Sequence, residues 1–119
     1  MTNELLNNSE KRENIPLMKA ILGPEIGKSF FVSKPLVTFG RGEDRDLKFN
    51  DRAMSRKHGE IIFLEGRLII RDTGSQNGIK INGRTTMEQE LEDGDQIDIG
   101  STRLVISIPK TIIFDEVEK

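Results

Sequence analysis

"GEIIFLEGRLIIRDTGSQNGIKING", residues 59–83, holds three short apolar runs separated by glycine-containing turns. "GEIIFL" and "RLIIRD" are rich in isoleucine, and Glu65-Gly66 joins them. Runs this short and this β-branched suit strands and are too brief for helices. In "IKI", Ile79 and Ile81 fall on one face of an extended chain. The links "EG" (65–66), "TGSQNG" (73–78) and "NG" (82–83) are turn chemistry. The same rhythm continues on both sides. "LMKAIL", "KSFFVS", "PLVTFG" and "DLKF" precede the stretch, and "QIDIG" and "RLVISI" follow it after the turn "DG" (93–94). Many short strands at a spacing of roughly eight to twelve residues predict an all-β sandwich or barrel. The one helical pattern, "NELLNNSEKR" near the N-terminus, is too short and polar to be stable alone.

A chain of 119 residues provides for one domain with one core. Part of its polarity lies in the ends. Residues 1–15 read as a flexible N-terminal tail and residues 110–119 as a C-terminal tail in which "TIIF" can add a short extra strand. The domain between them covers residues 16–109. Net charge is −2, so there is no bulk electrostatic case for nucleic acid, and an anion site must be a local cluster. With no cysteine, disulfides, thiol chemistry and cysteine zinc sites are excluded. No apolar stretch approaches the ~20 residues of a membrane span, and no signal-peptide core is present. The cytoplasm is the expected compartment, with no membrane partner.

Several motifs imitate sites. "GPEIGKSFF" (23–31) resembles a phosphate loop, but only three residues separate Gly23 from Gly27 and a strand-like run follows, so it reads as a hairpin turn. "DGDQID" (93–98) lacks the glycine position and closing glutamate of a calcium loop. "NNS" (7–9) fits a glycosylation sequon without a secretory context. Ser55 and His58 stand three apart in a loop-to-strand segment, with no evident third group or oxyanion hole, so no catalytic residue is assigned. The single histidine leaves little for a metal site, and no cofactor is expected.

Three segments combine glycine, hydroxyl, amide and guanidinium groups: "FGRGEDRD" (39–46), "NDRAMSRKHG" (50–59) and "DTGSQNGIKING" (72–83). Alternate loops of a sandwich emerge at one end, where Arg41, Ser55, Arg56 and Asn77 can converge into an acceptor site for phosphate. The bland reading makes each arginine a solvated charge beside Glu43, Asp44, Asp46 or Asp51.

"GR" (40–41), "SRKH" (55–58) and the paired Asn-Gly of "NGIKING" (77–83) resemble, in order and spacing, the signature of the forkhead-associated (FHA) domain family. The resemblance runs from about Leu17 to Ile108. It implies a sandwich of about eleven strands in two twisted sheets, with binding loops at one end. It also implies recognition of a phosphothreonine peptide. On this resemblance Arg41 pairs with the phosphate, Ser55 donates its hydroxyl and Arg56 adds charge. Gln76 and Asn77 meet the peptide beside the phosphothreonine, while Gly40, His58, Gly78, Asn82 and Gly83 shape the loops. Two positions depart from the family pattern: Gln76, where a shorter hydroxyl residue is common, and Ile79, where threonine is common.

The expected role is thus a non-catalytic module of Ser/Thr-kinase signalling, whose partner is a phosphothreonine protein, either a kinase or its substrate. The alternative is a structural or oligomerisation module of the same fold that binds an unphosphorylated partner by a sheet face or edge. Thr2 and Thr111 are the tail residues open to phosphorylation and self-capture.

Overall fold

The computed structural model describes residues 14–114, and its isoleucine-rich runs pair as their alternation requires. In chain order the strands are β1 (Leu17–Leu22), β2 (Ser29–Phe31), β3 (Leu36–Gly40), β4 (Leu47–Lys48), β5 (Gly59–Leu64) and β6 (Arg67–Asp72). They continue with β7 (Ile79–Ile81), β8 (Arg84–Thr86), β9 (Glu88–Glu90), β10 (Gln96–Ile99) and β11 (Thr102–Ser107). One sheet has the order β2-β1-β11-β10-β7-β8 and the other β4-β3-β5-β6-β9. All pairs are antiparallel except β3 with β4. There is no helix among the described residues, and hence none long and apolar enough to cross a membrane.

The alternating side chains of both sheets meet in one core. Ile61 and Ile70 from one sheet and Ile97, Leu104 and Ile106 from the other have no exposed surface. Each such side chain contributes about 1.5–3 kcal/mol by leaving water. Phe30 of β2 stacks on Phe49, just after β4, at 4.2 Å between ring centroids and closes one side of the sandwich. The two tight hairpins turn through left-handed backbone, which Asn82 and the glycines adopt readily and which Glu65 adopts although its type disfavours it. Glu65-Gly66 and Asn82-Gly83 have positive φ at both positions (51°, 78° and 50°, 85°), as a two-residue turn matched to strand twist requires.

Two strands, β8 and β9, have no counterpart among the apolar runs. "RTT" and "EQE" are edge strands facing solvent, where polar side chains discourage pairing with other chains. "GPEIGK" is the turn between β1 and β2, closed by the Ile26 N–H on the Gly23 carbonyl and the Gly27 N–H on the Ala20 carbonyl. The expectation for "TIIF" is corrected: residues 111–114 add no strand. Pro109 cannot continue the ladder of β11. Beyond it, Phe114 packs edge-on against Phe63 and the Ile113 N–H donates to the Asn14 carbonyl. "NELLNNSEKR", "NNS" and Thr2 lie outside the described residues.

Register fixes two poles. At one, Leu22 pairs with Arg103 and Ile99 with Ile79; at the other, Leu17 pairs with Ser107. The first pole collects the loops after β3, β4 and β6. The second holds the Asn14–Ile113 bond. Thr111 lies there between the Ile108 N–H on Asp93 and the Ile113 N–H on Asn14.

Candidate functional site

Arg41 leaves β3 immediately after Gly40. A Cβ at Gly40 would meet the carbonyl oxygen of Arg56 and lie 2.8 Å from the Ser55 oxygen, so only glycine lets the two loops touch. Contact is then made by backbone: the Arg41 N–H donates to the Ser55 carbonyl (2.9 Å) and the Gly42 N–H to the Arg56 carbonyl (3.1 Å). The half-buried Arg41 side chain donates through Nε to the Met54 carbonyl at 3.0 Å, which fixes the guanidinium plane and leaves its Nη groups without a partner among the described residues. Arg56 is exposed and makes no side-chain hydrogen bond or ion pair among the described residues.

His58 has no exposed surface, and its ring links two loops. Nδ1 accepts the Ser55 backbone N–H at 3.0 Å, so the ring proton sits on Nε2, which donates to the Gly78 carbonyl at 2.8 Å. Its backbone N–H and carbonyl also pair, with the Phe39 carbonyl and the Thr73 N–H. The contact between Ser55 and His58 therefore runs through the backbone of Ser55 and not through its hydroxyl, so it is not a nucleophile–base pair. Instead, Ser55 Oγ accepts the Gln76 N–H at 2.9 Å, which leaves its own proton to donate.

The loop 73–78 braces itself around Asp72. This carboxylate accepts the N–H groups of Gly74 (2.8 Å) and Ser75 (2.7 Å) and the Ser75 hydroxyl, and Ser75 Oγ accepts the Gly78 N–H. Burial pushes the Asp72 carboxyl up, but the bonds from Ser75 and Gly74 outweigh it and hold the group below the ordinary range. Gly78, at φ +81°, turns the chain into β7. Asn77 lies exposed at the tip and donates Nδ2 to the Ala53 carbonyl at 2.8 Å. Gln76 is exposed and acts here through its backbone.

Arg41, Ser55, Arg56, Gln76 and Asn77 are thus brought together at one pole, with Gly40, His58 and Gly78 beneath them. Asn82 and Gly83 are not. They form the β7–β8 turn at the opposite pole, where Asn82 bonds Asp95 (2.9 Å) and the Gln96 N–H (2.9 Å). Their expected role in shaping the binding loops becomes a role in the far hairpin.

Among the described residues, none of the acids suggested as arginine partners pairs with Arg41 or Arg56. Asp44 pairs with Arg45, Glu43 with Lys48, and Asp46 with Lys34 and Thr38. Asp51 meets no arginine at all. It is 2% exposed and accepts the Ala53 and Ser101 N–H groups and the hydroxyls of Ser101 and Thr102. It ties the loop carrying Ser55 to the turn between β10 and β11. The sequence hid this role, because three of its four donors lie at least fifty residues away. What remains at the pole is a fixed guanidinium, a hydroxyl with a proton to give and the Arg56 cation, with the nearby Asp44 carboxylate held by Arg45. Such a set accepts a phosphate.

The family model for the FHA domain matches residues 37–100. The oxoglutarate dehydrogenase inhibitor of Corynebacterium glutamicum is 37% identical over 97 residues, covering 78% of this chain and 68% of that protein. The glycogen accumulation regulator GarA of Mycolicibacterium smegmatis is 34% identical over 97 residues, covering 78% of this chain and 61% of that protein. A solved FHA domain from work on phosphothreonine-dependent FHA interactions superposes with a TM-score of 0.71 at 26% identity, covering 79% of this chain and 96% of that one. The FHA domain of FhaA, solved in complex with the intracellular domain of Rv3910, superposes with a TM-score of 0.69 at 26% identity, covering 76% of this chain and 98% of that one.

Proposed function

This chain belongs to the FHA domain family, and on that footing we propose that it is a cytoplasmic, non-catalytic module that binds phosphothreonine peptides. The observation that carries the reading is the pairing of two donors fixed in advance. Arg41 is oriented by the Met54 carbonyl, and the Ser55 hydroxyl already has an acceptor lone pair filled by the Gln76 N–H. A phosphate of about −1.5 to −2 charge then binds without first ordering its ligands. Arg56 adds charge, and Asn77 holds the peptide backbone while its amide stays on Ala53. Preference for phosphothreonine over phosphoserine rests on one methyl, about 1–3 kcal/mol. The name of the Corynebacterium glutamicum relative supports carrying the partner one step further, to an oxoglutarate dehydrogenase.

The test is an oriented phosphothreonine peptide library with wild type and Arg41→Ala in parallel. Loss of a charged hydrogen-bond donor, about 1.5–3 kcal/mol, weakens binding by roughly 10- to 150-fold with the circular-dichroism spectrum unchanged. Ser55→Ala costs about 1–3 kcal/mol in the same assay. Wild-type affinity in a folded Arg41→Ala protein refutes the site.

A second reading, docking to an unphosphorylated partner, draws on the outer face of the five-stranded sheet. There Leu36, Ile62 and Ile69 are direct cross-strand neighbours, and Leu36 is 48% exposed. Binding that survives both phosphatase treatment and Arg41→Ala selects it.

A further inference from the structure

The outer face of the five-stranded sheet is complementary to itself. Its centre is the β5–β6 hairpin, where three direct cross-strand pairs alternate with the buried Ile61, Leu68 and Ile70 and so point away from the core. The pairs are Glu60 with Arg71, Ile62 with Ile69, and Leu64 with Arg67. Leu36 on β3 extends the isoleucine row on one side, and Glu90 on β9 ends it on the other. Exchanging β5 with β6 therefore sets acid on base, isoleucine on isoleucine and leucine on the aliphatic stem of an arginine.

A two-fold axis parallel to the strands, between β5 and β6, makes that exchange with a second copy of the chain. Glu60 then faces the second copy's Arg71, Ile62 its Ile69 and Leu64 its Arg67. Leu36 meets the stem of Glu90, whose carboxylate stays with its own Arg67 at 3.7 Å. An axis across the strands would instead set Arg71 on Arg67 and Glu90 on Glu90, so charge selects the first arrangement. The polar pair also has capacity to spare. Arg71 reaches Glu60 Oε2 through Nε (2.9 Å) and Nη2 (2.7 Å), while Glu60 Oε1 accepts no hydrogen bond among the described residues. Oε1 of each copy can thus take the Arg71 of the other without releasing the bond already made.

Five strands about 4.8 Å apart, with three outward rows about 7 Å apart, cover about 500 Å² per copy, or about 1,000 Å² in all. That is the small end of specific interfaces, where association is weak and depends on concentration. We propose that this face joins two copies of the chain in a two-fold dimer, sheet against sheet about 10 Å apart with the strands aligned. Because the axis runs along the strands, both copies point the loops carrying Arg41 and Ser55 in one direction. The contact uses none of the residues at that pole and needs no phosphate.

Sedimentation equilibrium of the full chain from about 10 μM to about 1 mM reads the association. Wild type passes from monomer mass toward dimer mass across this range, and Arg41→Ala does the same. Ile69→Glu, with its circular-dichroism spectrum unchanged, stays monomeric. Glu60→Arg and Arg71→Glu also stay monomeric, because each sets like charges against each other across the axis. An equimolar mixture of these two regains the dimer, since only the mixed pair places acid on base at both contacts. That rescue in trans decides the matter even where Ile69→Glu fails to fold. A wild type that remains monomeric at about 1 mM overturns the proposal. So does a dimer that persists in folded Ile69→Glu or in either charge variant alone, a mixture that does not associate, or a dimer lost in Arg41→Ala.

Discussion

Asp51→Asn replaces one oxygen of a buried carboxylate with an NH₂ group and changes almost nothing in volume. The consequence can be worked from its four donors. One oxygen accepts the Ala53 N–H (3.0 Å) and the Ser101 hydroxyl (2.8 Å); the other accepts the Ser101 N–H (2.9 Å) and the Thr102 hydroxyl (2.7 Å). Whichever oxygen becomes NH₂ then faces a backbone N–H that cannot turn away, although the hydroxyl can rotate to accept. One buried donor is orphaned, at about 1–3 kcal/mol, and the surviving bonds lose their charge assistance, at about 1 kcal/mol. The expected destabilisation is about 2–4 kcal/mol, a large share of the ~5–15 kcal/mol typical of a domain, and it lowers the melting temperature by about 10–25 °C.

The pH dependence sharpens this test. Burial raises the Asp51 carboxyl, but the hydroxyls of Thr102 and Ser101 and the N–H groups of Ala53 and Ser101 prevail and hold it below its ordinary value. A carboxyl depressed in the folded state stabilises fully above its unfolded value, about 3.9, and loses that contribution as pH falls through the folded value. The gap between wild type and Asp51→Asn is therefore constant from about pH 8 to pH 5 and closes below about pH 4. Urea unfolding across this range measures it. A gap below about 0.5 kcal/mol at pH 7, or one that fails to narrow in acid, refutes the account.

Three further substitutions separate the layers of the site. His58→Ala strands the Ser55 N–H and the Gly78 carbonyl in the interior and leaves a cavity beside Phe39, costing about 3–5 kcal/mol in denaturant melts; a loss under about 1 kcal/mol would falsify its role as the link between loops. Gly40→Ala drives a methyl into the Arg56 carbonyl and costs more than about 3 kcal/mol, so a soluble variant with wild-type melting contradicts the close approach. Asn82→Ala forfeits the bonds to Asp95 and Gln96 and strains a positive-φ turn, for about 1–2 kcal/mol of stability. Because that turn lies at the far pole, phosphopeptide affinity stays at the wild-type value, and a drop in affinity places Asn82 wrongly.

The parts of the fold legible in the sequence were those that bury side chains. Most inward-facing strands announced themselves through isoleucine, leucine, valine or phenylalanine, while β1 buries Met18 and Ala20, and the Asn82-Gly83 and Glu65-Gly66 turns showed through their glycines. β8 and β9 were illegible because edge strands need only backbone pairing, and "RTT" and "EQE" read as polar loop. "TIIF" misled in the opposite direction. Its apolar residues signal burial, which Phe114 achieves against Phe63 without a ladder. At the site, Arg41, Ser55 and Asn77 stood out because their types and spacing form a family pattern. Asp51 did not, since it depends on donors from a distant turn, a relation that does not exist along the chain. A cue for Asp51 was present in its step of two to the Ala53 N–H, the habit of an Asx turn.

The bond between Asn14 and Ile113 has a mechanical meaning. Both ends of the described chain enter and leave at one pole, and β1 and β11, the strands nearest those ends, lie side by side with Leu17 opposite Ser107. Tension applied across the two ends would load the rungs of this ladder one after another, like a zipper, and not all together in shear. The sandwich is thus soft to pulling along the tether, and its first rungs to part are those farthest from the loops. The loops carrying Arg41 and Ser55, at the opposite pole, feel that load last.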